Sequence, residues 1–111
     1  MEVTPDRGEI WWVALDPTLG SEIRKTRPCL VVSVKILNER RRTIVVIPLS
    51  SSPKASPPIL IPITCEGRPA VAVTDQIRAV SKERFRERVG VAAAVEMAAI
   101  EEGLRTILQL G

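Results

Sequence analysis

Apolar residues fall into short β-branched runs over the first two thirds of the chain and into a three- and four-residue rhythm at its end. Glu9 to Leu15 (EIWWVAL) lies between Arg7-Gly8 and the turn signal Asp16-Pro17, which predicts a first strand. Asp16 to Thr26 has no periodicity and contains Pro17, Gly20 and Ser21, so it reads as a long loop. Such loops in small domains are more often functional than not. Cys29 to Val34 and Thr43 to Leu49 predict an antiparallel strand pair, joined by a polar arm from Lys35 to Arg42 with a basic tip. Pro48, late in the second run, places that end at a sheet edge or a bulge, because proline cannot donate to a ladder. Ile59 to Ile63 and Ala70 to Val73 flank the turn Cys65-Glu66-Gly67-Arg68-Pro69 as two further short strands, and Ile77 to Val80 is another. From Val95 onward Met97, Ile100, Leu104, Ile107 and Leu108 recur at helical spacing, a stripe for one C-terminal helix. Gly103 sits within it and weakens it by about 1 kcal/mol relative to Ala.

Many short strands followed by one helix predict an α+β fold, an antiparallel sheet curling into a small barrel with a helix packed on it. The 111 residues suffice for one domain, 1–111. Aromatics are confined to Trp11, Trp12 and Phe85, so Val, Ile, Leu and Ala build the core. In a strand the adjacent tryptophans face opposite ways: one is core, and the other is free to stack on a base or fill an interface. No apolar run approaches the roughly 18 to 20 residues that span a bilayer, and Met1 to Asp6 is unlike a signal peptide, so a soluble cytoplasmic protein is expected.

Charge narrows the functional classes. The net charge is +3, and residues 1 to 63 hold the whole surplus, nine Lys/Arg against six Asp/Glu. Arg24-Lys25-Arg27 and Arg40-Arg41-Arg42 supply most of it, which points mildly to an anionic partner. The chain has no histidine, so Ser-His-Asp and Cys-His catalysis are excluded, and Cys29 and Cys65 alone cannot complete a zinc site. Dinucleotide and phosphate-loop fingerprints are absent as well, so no cofactor is expected.

Arginine and hydroxyls remain. A guanidinium is always charged and its fork matches phosphate oxygens, which suits Arg27 to a phosphodiester. Pro28 disfavours helical backbone at Arg27, so that side chain starts from the extended root of a strand. Arg27 in a salt bridge to Glu22 or Asp75 is the structural alternative. If the runs at 29–34 and 43–49 pair, Ser50, Ser51 and Ser52 return to the same end of the sheet as Arg27; a plain Ser/Pro turn is the other reading. Asp75-Gln76-Ile77-Arg78 would place Gln76 and Arg78 on one strand face, open to a ligand, with Ile77 inward, while Asp75 serves the structure.

The segments RGEIWWVALDPTLGSEIRKTRPCLVVS, TIVVIPLSS and DQIRAV, with the closing amphipathic helix, resemble the MazF/PemK family of toxin endoribonucleases over nearly the whole chain. The resemblance implies an SH3-like small barrel shared with CcdB toxins, a homodimer, and metal-independent cleavage of single-stranded RNA at short motifs, in the manner of an mRNA interferase. It also implies a cognate antitoxin whose acidic, disordered segment lies across the active site. Carried over by motif, the catalytic positions are Arg27 of the Arg-Pro pair and Ser50, where many relatives have Thr. Ser51, one residue on, would point to the other strand face. Glu22 is the nearby carboxylate available as a base, and Arg24 and Lys25 would hold flanking phosphates. The rival readings are a CcdB-like gyrase poison of the same fold and a non-catalytic nucleic-acid-binding barrel.

Overall fold

In the computed structural model, residues 4–15, 25–51 and 54–111 are described. Seven strands, β1 (Glu9–Ala14), β2 (Thr26–Val31), β3 (Thr43–Ser50), β4 (Leu60–Cys65), β5 (Arg68–Val73), β6 (Arg78–Ser81) and β7 (Phe85–Val91), form one antiparallel sheet. Its order is β4-β5-β3-β2-β1-β7, with β6 also paired to β3. The helix α1 (Lys35–Arg40) joins β2 to β3, and α2 (Ala94–Leu108) closes the chain. The curled sheet with its terminal helix is the α+β architecture that the strand and helix patterns predict.

Strand alternation divides the core in two. Ile10, Leu30, Ile47, Leu49, Ile61 and Ile63 pack with Ile100 of α2, and Met97 and Leu104 cover them. The opposite faces of the same strands bury Trp11, Val13, Cys29, Val31, Ile44, Val46, Val80 and Phe85 inside the curl. Trp11 is therefore the core tryptophan, set edge-on to Phe85 with ring centroids 5.9 Å apart, and its indole N–H donates to Glu9 Oε1 at 2.9 Å. Helix α2 is tied down by polar contacts too. Glu96 accepts from the Ala93 N–H at 2.9 Å and from the Thr64 N–H of β4 at 2.7 Å, and Arg7 bridges Glu101 and the Val32 carbonyl.

Gly103 has a packing reason that helical propensity hides. It is buried, and a Cβ there would come within 2.9 Å of the Pro58 carbonyl oxygen. The glycine lets α2 approach the chain entering β4.

Three expectations are revised and one strand is added. The polar arm 35–42 holds a helix, because buried Asn38 is anchored by Ser33 Oγ and by the Pro5 and Ser33 carbonyls. The added strand is the charged run from Phe85: among the described residues β7 pairs with β1 alone, at the sheet edge, where charged side chains reach solvent and discourage further pairing. Pro48 is neither at an edge nor exposed. It lies in the central strand where β3 exchanges neighbours, pairing β6 through Val46 and β5 from Leu49, so its missing N–H falls in the gap. Gln76 lies in a 3-10 turn, Thr74–Gln76, and only Arg78 is on β6. The loop predicted over 16–26 falls largely outside the described residues. No helix among the described residues is long and apolar enough to cross a membrane.

Candidate active site

Two prolines shape the site. The ladder between β2 and β3 runs Val31↔Val46, Leu30↔Ile47, Cys29↔Pro48 and ends there, with Pro28 the next residue of β2. Pro28 has no N–H to offer β3, so the ladder stops there, and beyond Pro48 the strand β3 takes β5 as its partner, so β2 and β3 part. At this fork a cleft of about 400 Å³ opens.

Period-two alternation then orients the side chains. Arg27 is on the face of Cys29 and Ser50 on the face of Pro48, and because Cys29 and Pro48 are cross-strand partners, Arg27 and Ser50 share one face. Ser51 lies in the bend just beyond the end of β3. All three line the cleft, with Lys25 beside them. Lys25 takes a left-handed backbone, φ 68°, and its carbonyl accepts from the Leu15 N–H at 2.9 Å, which fixes the approach to β2. No ion pair joins Arg27 to Asp75 among the described residues, and the other partner of that structural alternative, Glu22, lies outside them.

The thiol of Cys29 reports the electrostatics beneath the cleft. Burial pushes it up to about 12, against the opposing pull of the Arg78 and Arg27 charges. Both guanidiniums thus sit close enough to act on one buried sulfur. Arg78 pairs with Val46, itself opposite Val31, and so belongs to the same face as Arg27, though it does not line the cleft. Gln76 does not line it either. Glu22 and Arg24 lie outside the described residues.

The opposite wall comes from the β4–β5 hairpin, whose turn had read as a plain connector. Because β5 pairs with the end of β3, Leu49↔Ala72 and Ser50↔Val71, the hairpin's turn swings Cys65, Glu66 and Arg68 into the cleft. Trp12, the half-buried partner of Trp11, lines it as well, across from Pro28. The cleft therefore joins guanidiniums, a hydroxyl pair, a carboxylate and an aromatic face, a set suited to holding a phosphodiester and stacking a base.

Comparison with known proteins agrees with this geometry. Residues 6–108 match the family model described as the PemK-like, MazF-like toxin of type II toxin-antitoxin systems. The chain is 36% identical to endoribonuclease MazF9 of Mycobacterium tuberculosis over 113 residues, covering 94% of this chain and 96% of that protein. The fold matches the crystal structure of MazF from Deinococcus radiodurans with a TM-score of 0.88 and 25% identity, over 98% of this chain and all of that one. A mycobacterial endoribonuclease in complex with its cognate antitoxin shares the fold at a TM-score of 0.77 and 22% identity, covering 96% of this chain and 97% of that one.

Proposed function

Because the chain belongs to the PemK-like, MazF-like toxins of type II toxin-antitoxin systems, we propose that it is an endoribonuclease cutting single-stranded RNA in the cleft at the β2–β3 fork. The observation that carries the reading is the shared face of Arg27 and Ser50 at the mouth of that cleft. The relatives named endoribonuclease support the activity.

The chemistry the residues suit needs no metal. The RNA 2'-oxygen attacks the adjacent phosphorus as its proton is taken up, the bond from phosphorus to the 5'-oxygen breaks, and that oxygen is protonated. The products are a 2',3'-cyclic phosphate and a 5'-hydroxyl. Negative charge builds on the equatorial phosphate oxygens, where the fork of Arg27 donates. A guanidinium keeps its charge, so Arg27 stabilises charge and does not act as a base. Ser50 donates to a phosphate oxygen or accepts from the attacking hydroxyl and so sets the line of attack. The proton acceptor is a carboxylate: Glu22 is one candidate, and Glu66, in the cleft wall, is the second. Lys25 and Arg24 hold neighbouring phosphates, Trp12 offers a face to a base, and Gln76 and Arg78 are further RNA contacts.

A homodimer, a cytoplasmic location and neutralisation by an antitoxin with an acidic segment complete the proposal. An acidic segment suits a site that gathers guanidiniums. Incubation of the purified protein with a defined single-stranded RNA, with and without EDTA, tests it. Cleavage in both is the expected result. Loss with EDTA and return with magnesium overturns the metal-free scheme, and an intact RNA together with inhibition of gyrase selects the CcdB-like reading.

A further inference from the structure

The second basic cluster, Arg40-Arg41-Arg42, has no part in the cleft. It ends α1 and leads into β3 at Thr43, whereas the cleft lies at the Ser50 end of the same strand. We propose that this cluster, continued through the turn after Ser81, is a phosphate-binding track that holds the RNA backbone beyond the scissile bond. The proposal rests on the endoribonuclease reading.

Contacts link the cluster to the cleft. Thr43 pairs with Ser81, and the Lys82 N–H donates to the Arg42 carbonyl at 2.9 Å. Two residues on, Arg84 Nη1 donates to the Ala14 carbonyl at 3.2 Å. Ala14 pairs with Thr26, the neighbour of Arg27. The backbone contacts thus place Arg42 beside Lys82, and the Arg84 side chain reaches on to the strand end next to Arg27.

The charge distribution agrees. Residues 35–43 and 81–88 hold eight Lys/Arg against three Asp/Glu, while the remaining residues hold eight against ten. Arg40, Arg41 and Arg42 are exposed and enter no ion pair among the described residues, so their donors face solvent. The one aromatic ring in these segments, Phe85, is buried, so the surface offers charge without a stacking platform. That combination reads phosphate and not base identity.

The spacing fixes the length of RNA required. From Thr43 to Ser50 an extended strand covers about 23 Å, which a stacked strand rising about 3.4 Å per nucleotide spans with roughly seven nucleotides. A shorter RNA occupies the cleft alone; a longer one reaches the arginines.

The test compares wild type with Arg40→Gln, Arg41→Gln and Arg42→Gln combined, and with the helix-surface control Arg105→Gln. Binding is measured against salt for five- and twenty-nucleotide single-stranded RNAs that share one central sequence and are 2'-O-methylated so that they are held intact. Cleavage of the unmodified pair is measured in parallel. The triple variant is expected to bind the long RNA about tenfold or more weakly, with a salt slope smaller by about 2, since each lost phosphate contact on a single strand removes about 0.7. Its cleavage of the short RNA should match wild type, and Arg105→Gln should change neither. An unchanged slope and affinity for the long RNA overturns the track, as does an equal loss in Arg105→Gln or an equal loss on the short RNA. Wild-type binding without cleavage of either RNA overturns the endoribonuclease reading instead, while the salt slopes still decide the track.

Discussion

Arg27 and Ser50 occupy the same face of two paired strands at the point where those strands part, and both line the cleft that the parting creates. The fork follows from Pro28, which withholds the next donor of the ladder, and from the change of partner along β3 after Pro48. A guanidinium and a hydroxyl are thereby held on rigid strands and not on loops, the arrangement that positioning a phosphodiester demands.

The two serines separate by position, Ser50 closing β3 and Ser51 lying in the bend beyond it. Ser50→Ala should lower kcat by about tenfold with the fold unchanged, whereas Ser51→Ala, off the strand that carries the site, should stay within about twofold. Single-turnover cleavage of one defined RNA decides between them, and the reverse ranking would move the hydroxyl role to Ser51.

Glu22→Gln and Glu66→Gln test the proton acceptor. Removing the base should lower kcat by about a hundredfold and abolish the acid limb of the pH–rate profile, while the other substitution leaves that limb in place. Neither variant altering the limb would place the base outside these carboxylates.

Much of this was legible in the sequence, and the omissions share a cause. The runs at Glu9, Cys29 and Thr43 announced β1, β2 and β3 because their period-two patterns are local. What escaped depended on partners distant in sequence. The β4–β5 turn reads as a plain connector until β5 pairs with the end of β3, which brings Glu66 and Arg68 into the cleft. Pro48 looked like an edge signal, and only the change of neighbours along β3 explains a proline in a central strand. The charged β7 lacks an apolar pattern because it lies at the sheet edge, with β1 its one strand partner among the described residues.

Gly103→Ala should destabilise the protein despite the better helix propensity of alanine. The added Cβ would meet the Pro58 carbonyl oxygen at 2.9 Å. Overpacking of about 1–3 kcal/mol exceeds the propensity gain of about 1 kcal/mol, or at its lower end cancels it. Thermal unfolding should show a Tm lower by several degrees; a higher Tm would show that the helix can shift away from the contact.

Cys29 should resist alkylation in the native protein. Burial lifts its thiol to about 12, so the thiolate is scarce at pH 8 in spite of the nearby Arg78 and Arg27. Its protonated form contributes stability below the ordinary thiol range near pH 9, and that contribution is lost as pH rises from there through about 12. Mass spectrometry after iodoacetamide treatment should find Cys29 modified only once the chain is unfolded.

The central claim is that Arg27 stabilises the charge of a 2'-hydroxyl attack. End-mapping of a long RNA cut by wild type beside Arg27→Ala, with analysis of the terminal groups, tests it most directly. The account requires 2',3'-cyclic phosphate and 5'-hydroxyl ends from wild type in EDTA, and at least a hundredfold less product from a folded Arg27→Ala. Near wild-type cleavage by that variant, or 5'-phosphate ends from the wild type, would contradict it.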